Sequence, residues 1–339
     1  MPEQTHPATT DTAPRWVALA RRLQHVLTHR WTRRAFLAAT VAGGLYALAV
    51  QRTTLAASLG EVRAGALLSA AGLVVAGLIA TMQVWRVLLA GLGAPLRPLA
   101  AAQTFFVGQL AKYLPGSMWS VLAQMELARA HHVPRSRTAT AAALTIAVSL
   151  GAGLLTTVVA LPFAGDQAGS RSWWLLLGVP LLAVLLHPKL VNGVVGAALR
   201  LARRPPMPKP LSGRTIVAAA GWAVLSWVLL GAHVAALGRP LGADTLRAAA
   251  VSVGGFALAW CLGFLMLVAP AGVGVREVLL VGLLGTQLTV AQATAVTVLS
   301  RALMTAADLA LAGAAAAAVY VARRRDPSPD DGTTRGTSA

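Results

Sequence analysis

Gln109-Leu-Ala-Lys-Tyr-Leu-Pro-Gly-Ser-Met-Trp119 is the stretch that decides the fold. It lies inside an apolar region, yet it holds a lysine, a Pro-Gly break and a tryptophan within eleven residues. Proline removes a backbone donor and clashes with the preceding turn, so a spanning helix stops there. The apolar piece before it, 98–112, reaches only about 22 Å at about 1.5 Å per residue, short of the ~30 Å hydrocarbon core. A second short piece runs to about residue 128. Two half-length helices meeting at a break read as a re-entrant hairpin. Such backbone is tolerated at membrane depth only where protein or a cavity surrounds it.

The composition fits a membrane setting. The chain is 56% hydrophobic and 12% charged, where soluble domains carry roughly 25% charged residues. Several apolar runs reach the ~20 residues that a bilayer core requires, and they are continuous rather than alternating, which disfavours a β-barrel. The expected class is all-α, a polytopic membrane helix bundle. The net charge of +18 is read as Lys and Arg gathered in cytoplasmic loops, so no nucleic-acid partner is expected. The single cysteine, Cys261, allows no intrachain disulfide. No cleavable signal is evident among the first thirty residues, which are polar and basic.

In chain order, residues 1–34 form a basic cytoplasmic segment. Arg15, Arg21, Arg22, Arg30, Arg33 and Arg34 interleave with Trp16 and Trp31, as on an interfacial amphipathic helix; a basic tail that only sets orientation fits equally well. An integral membrane domain is expected over 35–322. Its spans are 35–51, 64–90, the hairpin 98–128, 138–161, 173–187, 214–237, an apolar run 245–269, a short piece 275–287 and a long helix 293–322. Residues 188–213 read as a basic, proline-rich linker, and 323–339 as a disordered cytoplasmic tail. With the N-terminus inside, the cytoplasmic segments hold 21 Lys and Arg and the opposite side 5. That bias predicts both termini on the cytoplasmic side of a cell membrane.

A second break, Val268-Ala-Pro-Ala-Gly-Val-Gly-Val-Arg-Glu277, follows at a distance of 155 residues, Pro270 against Pro115. Leu92-Gly93-Ala94 and Leu241-Gly242-Ala243 precede the two breaks, 22 residues separating Gly93 from Pro115 and 28 separating Gly242 from Pro270. Downstream, Pro115 to Val133 and Pro270 to Leu288 are both 18 residues. The halves, about 64–161 and 214–322, therefore read as a repeat. Span 64–90 runs outside to inside and 214–237 the reverse, so the repeat is inverted and its two hairpins enter from opposite faces. Transporters use this arrangement, with broken helices meeting near the midplane.

The tips carry the candidate site. Half-helices starting at Gly116 or Gly272 would aim free N–H groups and a positive dipole end into the interior. Pro115, Pro270 and Gly274 shape these tips. Lys112 lies just before the first break, Arg276 just after the second, and Arg301 two turns into the last helix; Glu277 and Asp308 stand against them. Ionisable groups at membrane depth are costly unless paired, which makes them functional candidates. Three cations, two carboxylates and two helix N-termini suit a phosphate. Bland readings stand beside this one. Arg276 and Glu277 also fit packing ion pairs, Lys112 a side chain snorkelling to the interface, Trp119 an interface anchor, and Asp308 an N-terminal partner for another segment or a proton-linked group. Arg301 and Asp308 are seven apart, about 10 Å in rise, too far for a direct bridge. His131-His132 has no further ligand in view, so no metal is expected, and nothing calls for a cofactor or an enzymatic constellation.

Lys112-Tyr-Leu-Pro-Gly-Ser-Met-Trp119 and Pro270-Ala-Gly-Val-Gly-Val-Arg-Glu277 resemble the paired signatures of the lysylphosphatidylglycerol synthase transmembrane domain family, the flippase-like integral membrane proteins. The resemblance covers roughly residues 35–322. It implies translocation of a membrane lipid, aminoacyl-phosphatidylglycerol in the best-understood branch; other stand-alone members sit near lipid-linked glycan pathways, which makes a polyprenyl-phosphate sugar or a glycolipid the alternative cargo. In that branch a soluble C-terminal domain makes the lipid; here the sequence ends soon after Arg325, so synthase activity is not carried over. Ala271 also stands where the second signature tends to have glycine or threonine. The expectation is a flippase-like protein binding an anionic lipid headgroup between two hairpins, and not an enzyme. The alternative is a non-transporting membrane partner of a lipid-modifying glycosyltransferase or aminoacyltransferase.

Overall fold

The computed structural model describes residues 64–113, 119–164, 180, 188–201, 210–243, 245–265 and 275–325, and every regular element in them is helical. The elements are α1 (Ala64–Gly91), α2 (Pro98–Ala102), α3 (Trp119–Arg129), α4 (Arg135–Ala160), α5 (Pro188–Leu201), α6 (Gly213–Gly238), α7 (Leu246–Leu265), α8 (Val275–Leu284) and α9 (Val290–Arg325). α2 continues through a π-helical turn, Gln103–Val107, into a 3-10 turn, Leu110–Tyr113. Five helices are long and apolar enough to cross a membrane: α1, α4, α6, α7 and α9. The chain is a multi-pass helical membrane protein by that measure. The expected N-terminal segment and span 35–51, the span 173–187, both break tips and the tail beyond 325 lie outside the described residues.

Local sequence explains the boundaries. Ser212 caps α6 by accepting from Thr215 N at 3.1 Å, and Thr245 does the same for Ala248 N in α7. α9 starts at Val290, earlier than the expected 293, because Thr289 and Gln292 form a reciprocal capping box. Thr289 N donates to Gln292 Oε1 at 3.1 Å and Gln292 N to Thr289 Oγ1 at 3.3 Å. α1 and α6 end alike. Gly93 and Gly242 adopt left-handed backbone, φ 79° and 103°. The following alanines send their N–H five residues back, Ala94 to Leu89 O and Ala243 to Gly238 O, the Schellman pattern that needs glycine at that place.

α1 and α6 run antiparallel and form the centre of the molecule. An added Cβ on Gly77 would lie 2.7 Å from the Leu230 side chain, and one on Gly91 2.6 Å from Thr215. Thr81 Oγ1 meets Ser226 Oγ at 2.7 Å, and Ser226 Oγ also donates to Gly77 O at 2.9 Å. Gly77 and Ser226, and likewise Thr81 and Leu230, share the 149-residue spacing that separates Gly93 from Gly242. The contact of Gly77 with Leu230 is thus mirrored by that of Ser226 with Thr81. α4 and α9 repeat a burial pattern at a spacing of 155. Thr138 and Ala293, Ala141 and Val296, Leu144 and Leu299, Thr145 and Ser300, Ala152 and Ala307, and Gly153 and Asp308 are all buried. α4 packs on α7, and α9 on the α2 leg, so each long helix covers the first leg of the other half's broken segment.

Both broken segments fold back on themselves. α8 lies antiparallel on α7, with Gly263 against Arg276 and Gly255 against Leu283. α3 lies on the α2 leg, with Gly108 against Gln124. At about 1.5 Å per residue, α3 and α8 are roughly half the thickness of a hydrocarbon core. α7, at 20 residues, is long enough to cross, so the two first legs are unequal.

Two expectations are corrected. Residues 188–201 are helix α5 rather than linker; the helix-breaking prolines begin only at Pro205. Asn192 fastens α5 to the entry of α6 through two bonds to the Leu211 backbone, 2.8 and 3.0 Å. The tail does not begin at 323, because α9 continues to Arg325, with Arg324 lying 4.6 Å over the Tyr320 ring.

Candidate functional site

One face of α9 receives both broken segments. Arg301, Met304, Thr305 and Asp308 follow the i, i+3, i+4, i+7 spacing that lines a single helix stripe. At its upper end Asp308 is buried, 3% exposed. Its Oδ2 accepts from Lys112 Nζ at 2.5 Å and from Tyr113 O–H at 2.8 Å. The π turn and 3-10 turn of the first leg bring these two consecutive residues to α9, with Phe105 and Phe106 buried behind them.

Two turns lower, Arg301 forms an ion pair with Glu277 of α8. Its neighbour in sequence, Arg276, has no carboxylate within 4.0 Å among the described residues. Its Nη2 meets Met304 Sδ at 3.3 Å, and its guanidinium stands 5.0 Å from the Phe256 ring centroid. That ring is met edge-on by His233 of α6, centroids 5.2 Å apart at 85°. His233 in turn lies 2.7 Å from Ser300 Oγ on α9 through Nε2, and its Nδ1 contacts Leu230 O. A carbonyl can only accept, so Nδ1 carries the proton and Ser300 donates to Nε2. Ser300, His233, Phe256, Arg276 and Met304 therefore close a ring through α9, α6, α7 and α8.

The structure thus brings five of the expected residues together: Lys112, Arg276, Glu277, Arg301 and Asp308. Trp119 opens α3 in a half-buried position. Pro115, Gly116, Pro270, Gly272 and Gly274 lie outside the described residues. A scan against protein-family models and a search of the curated proteins both return no match to this chain.

Several members of the cluster were not singled out from sequence. Tyr113 stands beside Lys112 and carried its own signal, a phenol at membrane depth. His233, Phe256 and Met304 gave none, because each resembles ordinary helix filling. Gly108 and Gly263 did carry one: each stands seven residues before its proline, where the second leg crosses the first. Around the first segment three buried polar atoms lack a hydrogen-bond partner among the described residues: Trp85 Nε1, Thr104 Oγ1 and Gln124 Oε1. Each such orphan costs about 1–3 kcal/mol.

The charges at this face are three cations against two carboxylates. Two cations are paired and Arg276 leans on a ring and a thioether. Sulfur and aromatic faces are weak partners for a guanidinium, and they leave its bidentate edge suited to an incoming phosphate or carboxylate.

Proposed function

We propose that this chain is a flippase-like lipid translocator of a cell membrane. It holds an anionic lipid headgroup where its two broken segments meet α9, with the acyl chains left in the bilayer. The observation that carries the reading is the convergence of Lys112, Tyr113, Arg276 and Glu277, drawn from both segments, on two turns of one helix. Arg276 supplies the cation for the phosphate. The pairs Lys112–Asp308 and Arg301–Glu277 hold the segments to α9, and Lys112 turns from Asp308 to the headgroup when it enters.

An inverted repeat underlies the proposal. The antiparallel α1 and α6, their mirrored contacts at Gly77 and Ser226, the matching glycine turns and the shared burial of α4 and α9 support it. Equivalent residues meeting across one line are what a twofold axis between the halves produces. Two half-length second legs support re-entrant hairpins. An inverted pair of hairpins gives alternating access by rocking one half on the other. The resemblance to the lysylphosphatidylglycerol synthase transmembrane family points the same way. The Lys and Arg bias supports both termini in the cytoplasm. No enzymatic step is assigned.

The test is reconstitution of the full chain in vesicles of phosphatidylethanolamine carrying a fluorescent phosphatidylglycerol, with outer-leaflet label quenched chemically. The expected result is protein-dependent loss of the protected fraction, reduced at least tenfold by Arg276→Ala. Absence of transbilayer movement for phosphatidylglycerol and for a polyprenyl-phosphate probe would overturn the proposal.

A further inference from the structure

The geometry at the head of the cluster has a built-in inequality. Asp308 and Lys112 share one short bond, yet the carboxylate side chain is 4% exposed and the ammonium side chain 36%. The lysine has room to turn toward an incoming anion; the aspartate, fixed on α9, cannot follow. We infer that Asp308 is a proton-binding site coupled to the headgroup: the anion that captures the Lys112 ammonium leaves Asp308 to take a proton. The inference rests on the anion-binding reading of this same cluster.

The chemistry follows from burial. A carboxylate stripped of its cation in an apolar interior is strongly disfavoured in its charged form and becomes a proton acceptor. Tyr113 remains at 2.8 Å, and its oxygen can accept the new carboxyl O–H as readily as its hydroxyl donated before. The step balances simply. A proton leaves water and an O–H bond forms on Asp308; no electrons are transferred. Lys112 stays an ammonium and the headgroup an anion, so the charge of the site is the same before and after. One lipid anion and one proton enter together.

The other ionisable groups around Asp308 do not substitute for it. On its own helix Arg301 is held by Glu277 of α8, and that carboxylate keeps its arginine when Lys112 departs. Arg276 of α8 rests on Phe256 and Met304. His233 of α6 is fixed between Ser300 and Leu230 O. α1 carries no titratable side chain before Arg86, and the first leg none before Lys112. Lys112 and Asp308 are thus the pair whose separation creates a new proton site.

The experiment uses the purified full chain in weakly buffered detergent with a pH indicator, titrated with short-chain phosphatidylglycerol; binding is followed in parallel by calorimetry. The expected result is uptake of about one proton per chain on binding, with affinity falling about tenfold per pH unit across the pH range in which that uptake is seen, the slope of one linked proton. Asp308→Asn should take up no proton per lipid bound and lose the slope, and Asp308→Glu should restore uptake. Binding by the wild-type chain without proton uptake overturns this inference and leaves the lipid reading standing. Uptake that survives in Asp308→Asn also overturns it. No binding by the wild-type chain overturns both.

Discussion

The unequal burial of Lys112 and Asp308 predicts that cutting their bond from one side costs more than from the other. Lys112→Met leaves a carboxylate that is 4% exposed without its cation. Removing one partner of a buried pair costs about 3–5 kcal/mol, and the retained Tyr113 bond offsets about 1 kcal/mol of that. The net is about 2–4 kcal/mol. Asp308→Asn leaves the ammonium, but that group is 36% exposed and can reach water. Its share is that of a screened pair, about 0.2–1 kcal/mol, and asparagine still offers an oxygen to Tyr113. The difference of about 2 kcal/mol is roughly thirtyfold in the unfolding equilibrium. Cys261, the one cysteine, is fully buried, so a thiol-reactive fluorogenic dye reports thermal unfolding in detergent directly. Lys112→Met should melt lowest, Asp308→Asn near wild type, and the double variant above Lys112→Met, because it no longer buries a carboxyl group that must either stay charged without a cation or take a proton. If Asp308→Asn melts as low as Lys112→Met, or the double variant recovers nothing, the reasoning from burial is wrong.

Four further outcomes follow from the same structure. Gly108→Ala sets a methyl 2.6 Å from Gln124 Cγ and 3.2 Å from its backbone N, whereas Gly263→Ala meets Arg276 Cβ at 3.2 Å. The first should lower the melting temperature by the equivalent of about 1–3 kcal/mol and the second by less, in the same dye assay. Gly231→Ala places a methyl 2.4 Å from Val253 Cα; backbone cannot swing aside, so α6 and α7 must separate and the variant should melt lower than Gly263→Ala. Glu277→Gln should cost only about 1 kcal/mol, since both members of its pair with Arg301 are about a third exposed. The exchange Glu277→Arg with Arg301→Glu should restore stability relative to Glu277→Arg alone, read by a double-variant cycle.

The long helices were legible because an apolar run bounded by Gly, Pro and Arg has one reading at membrane length. α6 was expected at 214–237 and lies at Gly213–Gly238. The start of α9 was misplaced although its capping box, Thr289 to Gln292, is written in the sequence. α5 was missed because flanking prolines outweighed an unbroken helical stretch. The cluster was legible as a list and not as a wiring diagram. Charged residues in apolar runs announce themselves, but Lys112 and Asp308 stand 196 residues apart, and no local pattern pairs them. The seven-residue spacing of Arg301 and Asp308 argued against a direct bridge between them, and the structure pairs each with a residue of another segment. His233 and Phe256 stayed invisible because their roles exist only once four helices are assembled.

The ring through Ser300, His233, Phe256, Arg276 and Met304 laces α6, α7, α8 and α9 into one block, while the first leg meets that block by packing along α9 and through the Asp308 carboxylate, and among the described residues three buried polar atoms around it lack a hydrogen-bond partner. Under the rocking proposed above, a synthetic antibody that clasps the loop between α3 and α4 should slow lipid movement more than one seated on the turn between α8 and α9.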